Sequence, residues 1–217
     1  MTLARRLAAE AIGTMLLLAA VVGSGIMGER LSGGNAAIAL LANAIATGAM
    51  LVAIIFAFGR ISGAHFNPVV TLVVAAQGGL KWREVSGYLS VQVFGAFAGV
   101  AAAHVMFGEP LFSASQHVRA GGAQIFSEFI ATFGLLSIIL GCARVRSEAV
   151  PFAVGAYITA AYWFTSSTSF ANPAVTLARA FTDSFSGIRP ADAPGFFAGQ
   201  FIGAATAALL FRWLYDS

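Results

Sequence analysis

Apolar runs of about 20 residues recur along the chain, near 7–27, 36–58, 85–107, 123–142, 150–168 and 194–213, with short polar stretches between them. Each run is long enough to cross a hydrocarbon core of roughly 30 Å as a helix. The pattern predicts six transmembrane helices. Two segments do not fit it: Asn67-Pro68 and Asn172-Pro173 both stand in apolar surroundings where a spanning helix favours neither residue.

The two halves of the chain repeat one another. "AEAIGTMLLL" (9–18) resembles "SEFIATFGLL" (127–136), "FNPVVTL" (66–72) resembles "ANPAVTL" (171–177), and "VQVFGA" (91–96) resembles "GQFIGA" (199–204). The order is the same in both halves, so the chain reads as one domain over 1–217. It is built of a repeat at about 5–107 and a second at about 122–214. Three spans per repeat is an odd number, which places the second copy upside down in the bilayer. Inverted repeats put their functional site at the shared interface, near the midplane.

Asparagine followed by proline is a helix start. The Asn side-chain oxygen caps a free N–H, and proline at the first helical position gives up only an N–H that had no partner. The segments from Asn67 to about 77, closed by Gly78-Gly79, and from Asn172 to about 183 are therefore expected to be helices of about eleven residues, roughly half a membrane. Each is preceded by extended chain. The two helix N-termini meet at mid-membrane with roughly +0.5 elementary charge each. Non-helical backbone at that depth survives only where it is buried or lines a wet cavity.

Composition agrees: 59% of the 217 residues are hydrophobic, 10% are charged, and the mean hydropathy is +0.84. The formal charge of +3 bears on topology. Arg5, Arg6, Arg60, Lys81, Arg83, Arg144, Arg146 and Arg212 fall on one side, against Arg30, Arg119, Arg179 and Arg189 on the other, which puts both termini in the cytoplasm. Arg5-Arg6 before an apolar run also suits a signal peptide, but Glu10 interrupts that run and no clean cleavage site follows. Clustered basic residues with interleaved aromatics are absent, which disfavours a nucleic-acid surface. Cys142 is the single cysteine, so no disulfide or thiol metal cage is expected, and no cofactor or metal site is foreseen.

"SGAHFNPVVT" and "SFANPAVT", with "AEAIGT", "SEFIAT" and the paired glutamines, resemble the aquaporin and aquaglyceroporin (major intrinsic protein) family over almost the whole chain. The resemblance implies an all-α, right-handed bundle of six transmembrane helices and two re-entrant half-helices. It also implies a separate pore in each protomer and a homotetramer in the membrane lipid. By the same resemblance Asn67 and Asn172 orient a permeant at mid-channel, within motifs completed by Pro68, Val69, Pro173 and Ala174. Glu10 and Glu128 accept N–H groups from the loops that lead to the half-helices, a proton relay being the rival reading. His65 is either a pore-lining donor or a loop-packing imidazole. Val69, where the family has alanine, is expected to add two methyl groups beside the pore.

A four-residue filter outside the second motif maps by the same resemblance to Thr47, Ser169, Val175 and Tyr162, with Ala161 as the alternative to Tyr162. Water channels and glycerol facilitators place arginine where Val175 stands, so this filter is expected to be wider, less polar and without a fixed charge. Arg179, one turn beyond Val175, either sets a cation at the outer mouth or snorkels to the interface beside Asp183. "NPAVTLAR" resembles bacterial channels associated with arsenic resistance, which implies an inner-membrane location. The implied permeants are water, glycerol-like polyols and neutral trivalent or methylated arsenicals. The alternatives are an ordinary water or glycerol channel and an ion-coupled secondary transporter. "GSGIMG" (23–28) matches a dinucleotide fingerprint only in form, since no βαβ unit surrounds it, and no catalytic constellation is found. Gly95 with Gly99, and Gly199 with Gly203, are read as close-packing pairs.

Overall fold

The computed structural model describes residues 1–215, and its regular elements are helical. They are α1 (Leu3–Leu31), α2 (Ala36–Ser62), the short α3 (Pro68–Ala76), α4 (Trp82–Phe107), α5 (Gly122–Val145), α6 (Val150–Phe164), the short α7 (Pro173–Arg179) and α8 (Ala193–Tyr215). Single 3-10 turns, Ser147–Ala149 and Pro190–Asp192, lead into α6 and α8. Local chemistry explains the boundaries. Asn35 caps α2 by accepting from Ala37 N and Ile38 N, and Gly63 closes it in the left-handed region at φ 92°.

Among the described residues five helices are long and apolar enough to cross a membrane. The sixth expected span, α6, has 15 residues, shorter than the apolar run at 150–168 suggested. The chain leaves that helix at Thr165, whose hydroxyl bonds the Ala161 carbonyl at 2.7 Å while its backbone turns extended. From there it enters the loop toward Asn172. The second half-helix is also shorter than expected, ending at Arg179 and not near 183.

The two repeats pack alike. α1 lies along α4 as α5 lies along α8, and α2 meets α6 across the pseudo-twofold axis. The half-helices touch each other, and each also packs against the last helix of the opposite repeat, α3 on α8 and α7 on α4. Large side chains such as Phe94, Val105, Phe126, Phe152 and Leu209 cover the exposed outer faces, as suits lipid contact.

Small residues set the helix spacing. A Cβ on Gly95 would stand 2.3 Å from the Ala11 carbonyl oxygen, and one on Gly99 2.3 Å from that of Met15. In the second repeat a Cβ on Gly199 or Gly203 would lie 2.5 Å from the carbonyl oxygens of Ile125 and Phe129. Each contact is to backbone, which cannot swing aside, so the paired glycines permit the close helix approach expected of them. Gly99→Ala is expected to cost about 1–3 kcal/mol by overpacking and to lower the melting temperature in detergent. Gly122→Ala, where a Cβ meets nothing within 4 Å, serves as the neutral control; equal melting of the two variants would refute the seam.

Candidate functional site

The site begins with two buried carboxylates. Glu10 in α1 is fully buried, and its Oε1 accepts from His65 N at 2.9 Å and Ser62 Oγ at 2.6 Å. Its Oε2 accepts from Phe66 N at 2.7 Å and Gln92 Nε2 at 2.9 Å. Glu128 in α5 repeats the arrangement, taking Phe170 N and Ala171 N at 2.9 Å and Gln200 Nε2 at 2.6 Å. Successive N–H groups converge on each carboxylate because the loops carry non-glycine residues in the left-handed region. These are Ala64 (φ 51°) and Phe66 (φ 48°) in the first loop, Ser169 (φ 51°) and Ala171 (φ 49°) in the second. Such residues cost energy unless the surroundings hold them, and a nest of N–H groups around an anion does so.

The strained loops turn their carbonyls toward each other's helices. Asn67 Oδ1 caps α3 through Val69 N at 3.1 Å, while its Nδ2 donates 2.8 Å across the axis to the Ala171 carbonyl. Asn172 Oδ1 caps α7 through Ala174 N and Val175 N, and its Nδ2 donates 2.8 Å to the Phe66 carbonyl. Each amide thus spends one N–H on the opposite repeat and keeps the other.

A cavity of about 590 Å³ passes this crossing. One end reaches Arg60, Ser147 and Glu148; the walls include Leu17, Val21, Leu51 and Ile158; His65, Asn67 and Asn172 stand along it; Thr47, Tyr162, Ser169 and Val175 lie together toward the other end. Thr47 Oγ1 and the Tyr162 hydroxyl are 3.2 Å apart, and Ser169 Oγ is buried without a protein partner. Of the two candidates on α6, Tyr162 lines the cavity and Ala161 is buried away from it. His65 combines its two readings: it borders the cavity and its Nδ1 lies 3.1 Å from Thr71 Oγ1. Thr71 gives its hydroxyl proton to the Asn67 carbonyl at 3.1 Å, so His65 is the donor to Thr71.

Three expectations need correction. Val69 and Ala174 are buried in packing contacts, and on α3 the helix rotation brings Val70 and Val74 to the cavity wall instead. Arg179 neither snorkels nor pairs with Asp183. It is 1% exposed, borders the cavity, donates through Nε to the Ser186 carbonyl, and stacks with its Cζ 3.4 Å from the Phe170 ring centroid. Asp183 instead accepts from Gln116 N at 2.9 Å. The cavity that Val175 lines is therefore not without a fixed charge, because α7 brings the Arg179 guanidinium to its wall.

Some functional partners escaped notice in the sequence. Thr71 and Thr176 stand four residues after Asn67 and Asn172, and both donate to those asparagines' carbonyls and accept from the paired glutamines at 2.9 and 2.8 Å. Their matched places in the repeated "NPxxT" pattern were the available signal. Arg119 had none, since it lies in an unrepeated loop. It is buried, bonds the carbonyls of Gly187, Ser167 and Phe185, and has its Cζ 5.1 Å from the Phe170 centroid.

Two half-helices joined through their N-terminal asparagines, beside a continuous cavity inside a bundle of apolar helices, define a membrane channel. Residues 1–168 match the family described as Major intrinsic protein. The chain belongs to that family. It is 57% identical over 212 residues to Aquaglyceroporin AqpS of Rhizobium meliloti (strain 1021), a match covering 98% of this chain and 91% of that protein. Aquaporin NIP1-3 of Oryza sativa subsp. japonica is 32% identical over 225 residues, covering 98% and 73% respectively. The fold is shared with the X-ray structure of the aquaglyceroporin from Plasmodium falciparum, at a TM-score of 0.75 and 20% identity over 100% of this chain and 96% of that one. The protein is a passive channel for small uncharged solutes and not an enzyme.

Replacing either carboxylate tests the nests. Glu10→Gln or Glu128→Gln exchanges an acceptor-only anion for a group that must point an N–H at converging donors. Each is expected to lose about 2 kcal/mol or more of stability, read as a lower melting temperature together with reduced water flux. Wild-type values for both would show that the loops hold themselves.

Proposed function

We propose that this channel passes water and small, neutral, hydroxylated solutes, including glycerol-like polyols and neutral trivalent or methylated arsenicals. The observation that carries the reading is the grouping of Thr47, Tyr162 and Ser169 with Val175 at one end of a continuous cavity. These side chains act as the selectivity filter. Hydroxyls exchange hydrogen bonds with a hydroxylated solute in both directions, and the unpartnered Ser169 Oγ has a bond to offer. Val175 leaves room that an arginine would fill. Farther in, the free N–H of Asn67 and of Asn172 orients the solute where two helix dipoles oppose positive charge.

The protein works as a homotetramer with one pore per protomer in the bacterial inner membrane, both termini cytoplasmic. Basic-residue bias supports that orientation and the lipid-facing apolar surface supports the setting. The Arg60, Ser147 and Glu148 end of the cavity is then the cytoplasmic vestibule. A second reading, an ordinary water or glycerol channel, is favoured by the buried Arg179 at the cavity wall. Ion-coupled transport draws no support from Glu10 and Glu128, whose oxygens are already engaged by N–H and O–H donors.

Stopped-flow measurements on proteoliposomes decide between these. Fluxes of water, glycerol and neutral arsenite are expected to rise linearly through the millimolar range and to ignore ion gradients; saturation, or coupling to a gradient, would overturn the channel reading. Val175→Arg is expected to cut glycerol and arsenite flux by about tenfold, the effect of ~1.4 kcal/mol, and water flux by less. Equal reduction of all three solutes would argue against Val175 as the determinant of width.

A further inference from the structure

We infer that Arg179 is the channel's cation-excluding residue, placing a fixed positive charge in the outer filter from one helical turn beyond the position that Val175 leaves uncharged. The inference rests on the channel reading above and adds to it a specificity-determining residue outside the four positions of the filter.

Four observations carry it. Arg179 is 1% exposed yet borders the same cavity as Thr47, Tyr162, Ser169 and Val175. Its orientation is held from two directions, by the Nε bond to the Ser186 carbonyl and by the Phe170 ring, which leaves the terminal N–H groups for a passing solute. Its charge is not neutralised locally: among the described residues no carboxylate forms an ion pair with Arg179 or with Arg119, both of which bond backbone carbonyls. Lastly, Arg119, which does not itself line the cavity, also approaches the Phe170 ring, so two guanidinium groups share one aromatic side chain that does line it.

The buried Glu128 is already committed to the N–H groups of Phe170, Ala171 and Gln200, and Asp192 to Arg119 N and the Arg189 guanidinium. The positive field of Arg119 and Arg179 is therefore not cancelled by a direct ion pair. It extends to His117 in the outer loop, whose imidazole is held below its ordinary value first by burial and then by Arg119 and Arg179, against the pull of Asp183. The guanidinium carries its charge at the cavity wall, and in a low-dielectric wall its field is screened little. Cations and hydrated protons meet that barrier, whereas a neutral hydroxylated solute meets hydrogen-bond donors. The offset also separates charge from aperture: Val175 governs how wide the filter is, and Arg179 governs what charge it admits.

The test uses full-length protein in liposomes, comparing wild type with Arg179→Met, Arg179→Lys and the double variant Val175→Arg/Arg179→Met. Water flux reports an open, folded pore. Inward proton leak under a potassium-valinomycin potential, read by entrapped pyranine, and uptake of the guanidinium ion report charge selection. Arg179→Met keeps the apolar stem on Phe170 and is expected to leak about tenfold more than wild type or beyond, while Arg179→Lys and the double variant stay tight. Wild-type leak in a water-conducting Arg179→Met, or equal leak in Arg179→Met and Arg179→Lys, overturns the inference. Where Arg179→Met conducts no water, the double variant decides: a water-conducting, tight double variant supports the inference and a leaking one overturns it. Wild-type vesicles that pass neither water nor glycerol overturn the channel reading and this one with it.

Discussion

The interaction on which the pore depends is a buried carboxylate held in a nest of backbone N–H groups. An isolated carboxylate in the interior of a membrane bundle is costly, and so is a loop with left-handed non-glycine residues. Here each cost removes the other. Glu10 fixes the loop through His65 and Phe66, Glu128 fixes its counterpart through Phe170 and Ala171, and the glutamines on α4 and α8 complete both anion sites. Only with the loops fixed do the carbonyls of Phe66 and Ala171 reach the opposite asparagines.

Much of this was legible in the linear pattern, because the duplication exposes it twice. The matched glutamates, glutamines and Asn-Pro pairs mark the pieces whose chemistry cannot be spared, and inverted repetition places them at one interface. What could not be read was direction. Val69 and Val70 are neighbours of the same type, and only the rotation of α3 against its surroundings decides which one faces the cavity. Arg179 misled for a related reason. An arginine near a helix end usually extends toward water, but α7 has just 7 residues and the Ser186 carbonyl and Phe170 ring take hold of the side chain first.

The repeats are alike in scaffold and unlike in what they add. Where the first loop presents His65 to the cavity, the aligned place in the second holds Phe170, an aromatic face that gathers Arg119 and Arg179. The first loop thus brings to the cavity an imidazole tied to Thr71, and the second an aromatic ring backed by two guanidinium groups tied to carbonyls. Symmetry supplies the crossing point; departures from it make the two mouths chemically different.

The two asparagine bonds across the axis also bear on how the molecule is assembled. They join residues 104 and 106 positions apart, so neither can form until most of the chain has been made. The helices of the first repeat are able to insert and pair early, while its loop waits for a carbonyl that arrives with the second. Closing the crossing is then a late and concerted event in folding, and a chain stopped short of Ala171 is left with helices but no finished passage.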